Sequence, residues 1–375
     1  MKLTLATVIA LLILEFIQAQ NRRYPADNRA TSYIASVGIG SPPTFYNLII
    51  DTGSSNTWIG ANKTKTYKPT STSRKTGDSV SEKILHVEYG SGNFSGVEYM
   101  DQLTLTNDLV FKQSIGVANA THGFDGGVDG ILGLGPTNLT KGTLSPHTDT
   151  TIPTVVDNMF TQGIIGAKVF GISFEPITNR NGTQWNGEIS FGGPDPSKYT
   201  GGITYTPITK TPQVITKTLH ASNFWGIDAS FAYGTDAIAP TIAGIVDSGT
   251  TLLLLATDIY NTFRTATDAV HDEVTGLLTL NARQFASMKS LFVHINGVPF
   301  EMIPNALMWP RHLNTAIGGI EGKIYLIVQD LGNPSGSGLD FILGQVFMER
   351  FYTVHDAVKQ QVGFARTPLT YATTN

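Results

Sequence analysis

The chain has 375 residues, of which 41% are apolar and 14% are charged, and its formal net charge is −4. This length favours two large domains or one domain doubled, and the apolar share excludes a disordered chain. Because the net charge is small and basic residues do not cluster among aromatic ones, we expect no nucleic-acid partner. The chain has no cysteine, which excludes disulfides, thiol nucleophiles and thiolate metal sites.

The first twenty residues, MKLTLATVIALLILEFIQAQ, have the pattern of a secretory signal: Lys2, an apolar stretch through Leu14, and a plausible cleavage site at Ile17-Gln18-Ala19. An uncleaved membrane anchor is the alternative, but the apolar stretch is short for a bilayer and Glu15 interrupts it. We therefore predict a signal peptide over residues 1–19 and a secreted, extracellular protein without membrane contact after cleavage. Five Asn-x-Ser/Thr sequons are glycosylation candidates: Asn62, Asn93, Asn119, Asn138 and Asn181.

After the signal, short alternating or apolar runs are separated by Gly, Pro, Asn and Asp, which is typical of β-hairpins. The stretch VEYGSGNFSGVEYM predicts a hairpin over residues 84–105 with Tyr89 and Ser91 near its tip. Helical patterns are fewer. DIYNTFRTATDAV predicts a helix with Thr257 or Asp258 as its N-terminal cap, and PTVVDNMFTQG predicts a shorter one.

One pattern occurs twice. In LIIDTGSSNTWIG and AGIVDSGTTLLLL an apolar run ends in an aspartate, Asp51 or Asp247, followed by hydroxyl, glycine, hydroxyl, hydroxyl. The spacing, 247 − 51 = 196 residues, is about half the chain. Ile131-Leu132-Gly133 and Ile342-Leu343-Gly344 follow their aspartates by 131 − 51 = 80 and 342 − 247 = 95 residues, each with a glycine that suggests close approach of another backbone. Two elements in the same order predict a duplicated β lobe.

A pseudo-twofold pairing of these lobes would bring Asp51 and Asp247 together. Each would be backed by the hydroxyl three residues later, Ser54 or Thr250, and oriented by amides of loops that Gly53 and Gly249 permit. Two adjacent carboxyls share one proton, so one can accept a proton from water while the other donates to a substrate carbonyl. Such a pair suits chemistry at acid pH, and a peptide amide attacked in this way would pass through a tetrahedral diol without a covalent intermediate.

The motifs Asp-Thr-Gly-Ser-Ser-Asn-x-Trp, Tyr-Gly-Ser-Gly and Asp-Ser-Gly-Thr-Thr resemble those of the pepsin-like aspartic proteases, most of all the cysteine-free fungal group typified by polyporopepsin. The resemblance implies a mainly β, bilobal fold with a central cleft, an N-terminal lobe over 31–195, and a C-terminal lobe over 196–375. It implies Asp51 and Asp247 as the catalytic pair, no cofactor, and a monomer that cleaves peptides or proteins beside bulky apolar residues. The implied flap and substrate-binding residues are Tyr89, Gly90, Ser91, Trp58, Ile49, Ile131 and Thr251.

Residues 20–30, a short N-terminal segment, depart from the family, whose members usually carry a longer basic pro-segment. We hypothesise that the chain folds without one or has a truncated start. His271-Asp272-Glu273 is interpreted as a charge cluster at a helix end, so no metal site is predicted. The rival function is a catalytically silent pepsin fold that binds peptides; the retained aspartates and Tyr89 favour an active enzyme.

Overall fold

The computed structural model describes residues 21–78, 81–82, 84–90, 92–124, 127–179, 181–211 and 220–375, so the predicted signal peptide lies outside it. Strands predominate, which confirms the mainly β prediction. The strands up to Phe191 are β1 (Arg22–Asn28), β2 (Tyr33–Ile39), β3 (Thr44–Asp51), β4 (Trp58–Ile59), β5 (Arg74–Lys75), β6 (Gly77–Asp78), β7 (Ser81–Glu82), β8 (Ile84–Tyr89), β9 (Gly92–Thr106), β10 (Leu109–His122), β11 (Gly130–Gly133), β12 (Leu144–Ser145), β13 (Val169–Ser173) and β14 (Gln184–Phe191).

The later strands form most of the second lobe. They are β15 (Thr200–Pro207), β16 (Gly226–Tyr233), β17 (Asp236–Val246), β18 (Leu253–Leu255), β19 (Val270–His271), β20 (Leu278–Leu280), β21 (Leu291–Ile295), β22 (Val298–Met302), β23 (Ile324–Tyr325), β24 (Val328–Asp330), β25 (Phe341–Leu343), β26 (Phe351–Asp356) and β27 (Gln361–Arg366). The α-helices are α1 (Val155–Thr161), α2 (Thr257–Thr267), α3 (Ala282–Ala286) and α4 (Gln345–Met348), with 3₁₀ turns at Thr137–Thr140, Ala221–Asn223 and Arg311–Ile317.

The sheets place one β lobe in each half of the chain and join them through a shared centre. Within the described ranges, a fifteen-stranded sheet runs β12-β8-β9-β10-β4-β11-β3-β2-β1-β14-β13-β26-β27-β15, with β5 beside β9. Strands β26 and β27 come from the end of the chain, so this sheet connects both halves. A seven-stranded sheet, β22-β21-β16-β17-β25-β18-β24, builds the second lobe.

The segment that the sequence places before the first strand is itself part of the central sheet. Strand β1 pairs antiparallel with β14, from Arg22 opposite Phe191 to Asn28 opposite Gln184. Its Tyr24 and Ala26 are buried although charged residues and a proline surround them, and this masks the strand pattern in the sequence. Most of residues 20–30 therefore lie in a strand rather than ahead of it, and the predicted lobe boundaries remain predictions.

The sequence echo, from which a duplicated β lobe was predicted, corresponds to two copies of one three-strand unit. Strand β3 pairs parallel with β11, with Asp51 opposite Gly133, and β11 also pairs antiparallel with β4. In the second lobe β17 pairs parallel with β25, and β25 pairs antiparallel with β18. A Cβ on Gly133 would lie 2.4 Å from the Ser55 carbonyl carbon, and one on Gly344 2.2 Å from the Leu252 oxygen. The lack of a side chain at each glycine thus leaves room for the backbone that follows the aspartate of the same lobe.

Both predicted helices are present, with one difference at a terminus. Helix α1 begins with a capping box in which Thr154 and Asp157 bond each other's backbone. Helix α2 begins at Thr257 and its N-cap is Ala256, so neither predicted residue is the cap; the Thr257 amide donates instead to the Asn333 carbonyl at 2.9 Å. None of the described helices has the length and apolar content needed to cross a membrane.

The charge cluster at residues 271–273 is not at a helix end, so that interpretation is wrong. Helix α2 stops at Asp268, which takes a left-handed φ of 53°, and His271 lies in β19, paired with Leu278. The carboxylate of Asp272 instead forms an ion pair with Lys323. Among the described residues no group of three His, Asp or Glu side chains could hold a metal ion.

Candidate active site

Two carboxyls from the two repeated units meet between the lobes. Asp51 is 6% exposed and Asp247 is 9% exposed, and each carboxyl lies against the glycine of the other loop, Asp247 against Gly53 and Asp51 against Gly249. The Gly53 amide donates to Asp51 Oδ1 at 2.8 Å, and the Gly249 amide donates to Asp247 Oδ1 at 2.8 Å. The repeated apolar-Asp-x-Gly sequence therefore ends each buried strand in a loop that turns its carboxyl inward.

A hydroxyl holds the outer oxygen of each carboxyl. Ser54 Oγ donates to Asp51 Oδ2 through a short hydrogen bond, and Thr250 Oγ1 donates to Asp247 Oδ2 at 2.6 Å. A Cβ added to Gly53 would lie 2.5 Å from Asp247 Oδ1, which leaves room only for glycine. Both loops thus fix their carboxyl on one oxygen from the backbone and on the other from a side chain.

A second pair of hydroxyls joins the two loops directly. The Thr52 amide donates to Ser248 Oγ, and the Ser248 amide donates to Thr52 Oγ1, both at 3.0 Å. Each hydroxyl then donates across the lobes, Thr52 to the Val246 carbonyl at 2.9 Å and Ser248 to the Ile50 carbonyl at 2.8 Å. Sequence reasoning missed this role, although both residues occupy the x position of Asp-x-Gly. The four bonds lock the two carboxyls in one geometry.

Burial and mutual repulsion decide the protonation of the pair. Removal from water raises the pKa of Asp51, and the nearby charge of Asp247 raises it further, while the Ser54 and Gly53 hydrogen bonds oppose the increase. Two ionised carboxyls in this contact would repel each other at low dielectric, so one proton stays with the pair. The arrangement supplies one acceptor and one donor to a water or carbonyl placed between them.

The predicted hairpin covers this pair. Strands β8 and β9 meet with Tyr89 opposite Gly92, and the exposed Gly90 lies in the turn between them. Trp58 Nε1 donates to the Tyr89 hydroxyl at 2.8 Å. Burial and the charge of Asp51 raise the pKa of Tyr89 well above its usual range, so its phenol stays protonated beside the carboxyls. Ser91, also predicted for the flap, lies outside the described residues.

These features agree with comparisons to known proteins. A family profile described as Eukaryotic aspartyl protease matches residues 32–367. The chain belongs to this pepsin-like family. It is 54% identical to polyporopepsin of Irpex lacteus over 352 residues, 94% of this chain and 98% of that protein. It is 30% identical to rhizopuspepsin of Rhizopus chinensis, covering 89% of this chain and 78% of that protein.

A solved structure agrees with the same family. The crystal structure of the aspartic proteinase from Irpex lacteus aligns with a TM-score of 0.88 at 53% identity, covering 95% of this chain and 100% of that chain. The fold is thus the bilobal pepsin-like fold that the sequence predicts. The protein is an aspartic endopeptidase, a hydrolase that acts on peptide bonds by an aspartic mechanism.

An aromatic cluster that the sequence did not reveal surrounds the flap of this protease. Phe124, in the loop after β10, sets its ring edge-on against Trp58 at 4.9 Å and against Tyr89 at 5.4 Å between centroids. Phe94 stacks on Trp58 at 4.4 Å. Only the glycines around Phe124 mark this loop in the sequence, and they do not reveal its contacts. Phe124 therefore braces the tyrosine and its tryptophan partner together.

Apolar side chains flank the carboxyl pair of the protease on both sides. Ile49 and Ile131, predicted as pocket residues, lie opposite each other on β3 and β11 and pack with the Trp58 cluster. In the second lobe Ile245 lies opposite Ile342 at the equivalent register and packs with Phe224. Each aspartate is therefore preceded by a strand that presents an apolar wall.

Thr251 and the sequons complete the predicted residues. Thr251 Oγ1 donates to the Thr31 carbonyl at 2.7 Å, which ties the loop of Asp247 to the start of the first lobe. The predicted contact of Thr251 with substrate remains a prediction.

Among the predicted glycosylation sites, Asn62 is half-buried and accepts from Thr64 Oγ1 at 2.7 Å. The exposed sequon asparagines are Asn93, Asn119, Asn138 and Asn181. Their glycosylation remains a prediction.

Proposed function

We propose that this chain is a secreted acid endopeptidase in which Asp51 and Asp247 activate one water molecule. The observation that carries the proposal is the convergence of two buried carboxyls, each held by its own glycine amide and hydroxyl. Because such a pair retains one proton, its working range is acid, where a single ionised carboxylate remains. A rise in pH that removes the shared proton also removes the general acid.

The reaction follows from this proton arrangement. The ionised carboxylate takes a proton from water as the water oxygen bonds to the peptide carbon, and the protonated carboxyl gives its proton to the carbonyl oxygen. The tetrahedral diol then collapses with cleavage of the carbon–nitrogen bond: the carboxyl that is now protonated gives its proton to the leaving nitrogen, and one diol hydroxyl gives its proton to the other, ionised carboxylate. Tyr89, whose hydroxyl accepts a hydrogen bond from the buried Trp58, closes over the substrate and excludes bulk water.

The substrate preference that we propose is for bulky apolar residues on both sides of the cleaved bond. Support comes from the two apolar walls beside the dyad, Ile49 with Ile131 in one lobe and Ile245 with Ile342 in the other. Burial of a large apolar side chain against such a wall contributes about 1.5–3 kcal/mol. A peptide lying extended across the cleft would use both walls at once.

Cleavage of an unstructured protein between about pH 3 and about pH 7, with and without a statine-type inhibitor, tests the proposal. We expect cleavage that rises with acidity, is blocked by the inhibitor, and produces new termini at bulky apolar residues. Inhibitor binding without cleavage would instead support a silent peptide-binding relative. N-terminal sequencing and size measurement of the protein from culture medium test the proposed secretion and monomeric state.

A further inference from the structure

Trp225 is hydrogen-bonded to both of the strand units that carry the dyad, although it belongs to neither Asp-x-Gly loop. It directly precedes strand β16 and is 3% exposed. Its indole Nε1 donates to the Leu134 carbonyl at 2.9 Å. Because Leu134 directly follows β11, this bond joins a side chain from the second half of the chain to the unit that holds Asp51.

The segment that receives this bond, residues 134–136, is itself hydrogen-bonded to the Asp51 loop at three points. The Leu134 amide donates to the Asp51 carbonyl at 2.7 Å, the Gly135 amide donates to the Ser54 carbonyl at 2.7 Å, and Ser55 Oγ donates to the Pro136 carbonyl at 2.6 Å. Any shift of the segment therefore moves the loop from which the Asp51 carboxyl projects.

The main chain of Trp225 contacts the other unit. The Val246 amide donates to the Trp225 carbonyl at 3.1 Å, and Val246 directly precedes Asp247. The Val246 carbonyl in turn accepts from Thr52 Oγ1 at 2.9 Å. One residue thus holds the Asp51 unit through its side chain and the Asp247 unit through its backbone.

The two lobes differ in what else holds the chain after the paired glycines. After Gly344 the chain begins helix α4, and the Gln345 amide donates to the Thr250 carbonyl at 2.8 Å. After Gly133 the segment 134–136 leads into the 3₁₀ turn at Thr137–Thr140 and borders a cavity on one side. Because packing leaves the segment open there, the indole bond supplies a constraint that helix α4 supplies in the second lobe.

Two rings fix the direction of the indole. Phe170 contacts Trp225 edge-on at 5.9 Å between centroids, and His355 contacts it edge-on at 5.2 Å. His355 is fully buried and stacks on Phe170 at 4.7 Å. Burial also lowers the pKa of His355 to about 3, so its ring stays neutral through most of the acid range. The N–H of Trp225 therefore points at the Leu134 carbonyl without a competing rotamer.

We propose that the Trp225 indole N–H is a positioning group for the dyad: by holding the Leu134 carbonyl, it keeps residues 134–136 against the Asp51 loop and so fixes the separation of the two carboxyls. This inference rests on the proposed function, in which Asp51 and Asp247 share one proton. Carboxyls that lie farther apart repel each other less, so the two apparent pKa values of the pair approach each other. Loss of the indole bond thus slows the chemical step and narrows the pH range of cleavage.

The test compares Trp225→Phe with the unmodified protein, with rates expressed per site that binds a statine-type inhibitor, so that only folded molecules count. We expect kcat to fall about 3- to 10-fold, since one buried hydrogen bond is lost, and KM to stay unchanged because the buried indole does not reach the substrate. The alkaline limb of the pH profile of kcat/KM should move toward acid by about half a pH unit or more.

Trp309→Phe is the matched control for the loss of ring volume. Trp309 is 2% exposed, and its Nε1 has no hydrogen-bond partner among the described residues. The same atoms therefore leave the core without loss of a bond, and we expect an unchanged kcat and pH profile. If Trp225→Phe behaves like Trp309→Phe while Asp51→Asn is inactive, the positioning role is overturned; if Asp51→Asn still cleaves, the proposed function itself fails.

A second replacement keeps the proposal testable if Trp225→Phe does not fold. Benzothienylalanine in place of Trp225 preserves the ring shape and exchanges only the N–H group for sulfur, so it removes the donor without leaving a void. We expect the same fall in kcat and the same shift of the alkaline limb. A normal kcat and an unmoved pH profile with this residue would refute the proposal.

Discussion

The two lobes use the same three-strand unit to hold an aspartate but build different surroundings on it. In the first lobe Ile131 pairs with Trp58, whose indole reaches the flap tyrosine. In the second lobe Ile342 pairs at the same register with Leu254, an aliphatic residue without a hydrogen-bond donor in its side chain. The three-strand unit that holds each aspartate is thus the same in both lobes, whereas the aromatic residues around Tyr89 belong to the first lobe. The difference shows that the unit that positions each carboxyl does not require the aromatic residues that surround Tyr89 in the first lobe.

The strongest way to test the symmetry is to remove each carboxyl in turn. We expect Asp51→Asn and Asp247→Asn each to lower kcat/KM by about 10³-fold or more, since either change removes the shared proton system. Circular dichroism should show an intact fold, and a statine-type inhibitor should still bind. A variant that retains near-normal cleavage would mean that the two units are not functionally equivalent.

The Thr52 and Ser248 hydroxyls, which form hydrogen bonds between the two loops, should contribute equally to the free energy of unfolding. Thr52→Val and Ser248→Ala each leave a buried amide without its acceptor, so we expect each to lower the free energy of unfolding by about 1–3 kcal/mol in urea titration. Thr57→Val is the control, because Thr57 is buried and its Oγ1 has no hydrogen-bond partner among the described residues. A loss as large in the control would show that packing, not the cross-lobe bonds, is being measured.

The dyad should also make stability depend on pH. The folded pKa of Asp51 is raised, so its stabilisation is present below the unfolded pKa of about 4 and is lost as the pH rises. We expect Asp51→Asn to flatten the dependence of the unfolding free energy between about pH 4 and about pH 7, by about 1 kcal/mol or more. An unchanged slope would assign the dependence to other buried acids, Glu349 among them.

The variant Phe124→Ala tests how much the aromatic residues around Tyr89, which only the first lobe supplies, contribute to activity. Loss of the edge-on contacts to Trp58 and Tyr89 is expected to cost about 0.5–1.5 kcal/mol, a reduction of roughly 2- to 12-fold in kcat/KM. Phe160→Ala, at a phenylalanine that is 42% exposed on helix α1, should leave kcat/KM unchanged. Rescue by Phe124→Tyr but not by Phe124→Leu would identify the ring as the part that matters.

Sequence reasoning reached the repeated elements because each is local. Asp51 with Ser54, Asp247 with Thr250, and the hairpin tip at Tyr89 are encoded within a few residues, so spacing alone identifies them. The strand over Arg22–Asn28 was not recognised, since its burial depends on pairing with residues 184–191 rather than on an alternating pattern of its own. Phe124 and Trp225 were missed for the same reason: their partners lie in distant segments.

By itself the sequence determined the β class, the duplication, the pair of aspartates with their glycines and hydroxyls, and the position of the hairpin tip at Tyr89. These features are predictable because turns and strand ends depend on the residue types within a few neighbouring positions. Only the tertiary structure decided that Thr52 and Ser248 bond across the lobes, that Phe124 packs against Tyr89, and that Glu349 is buried without an ion pair to any described residue. These properties depend on burial and on contacts between residues far apart in the chain. The groups that surround a buried carboxyl, and therefore its protonation state, depend on the fold rather than on the residues beside it in sequence.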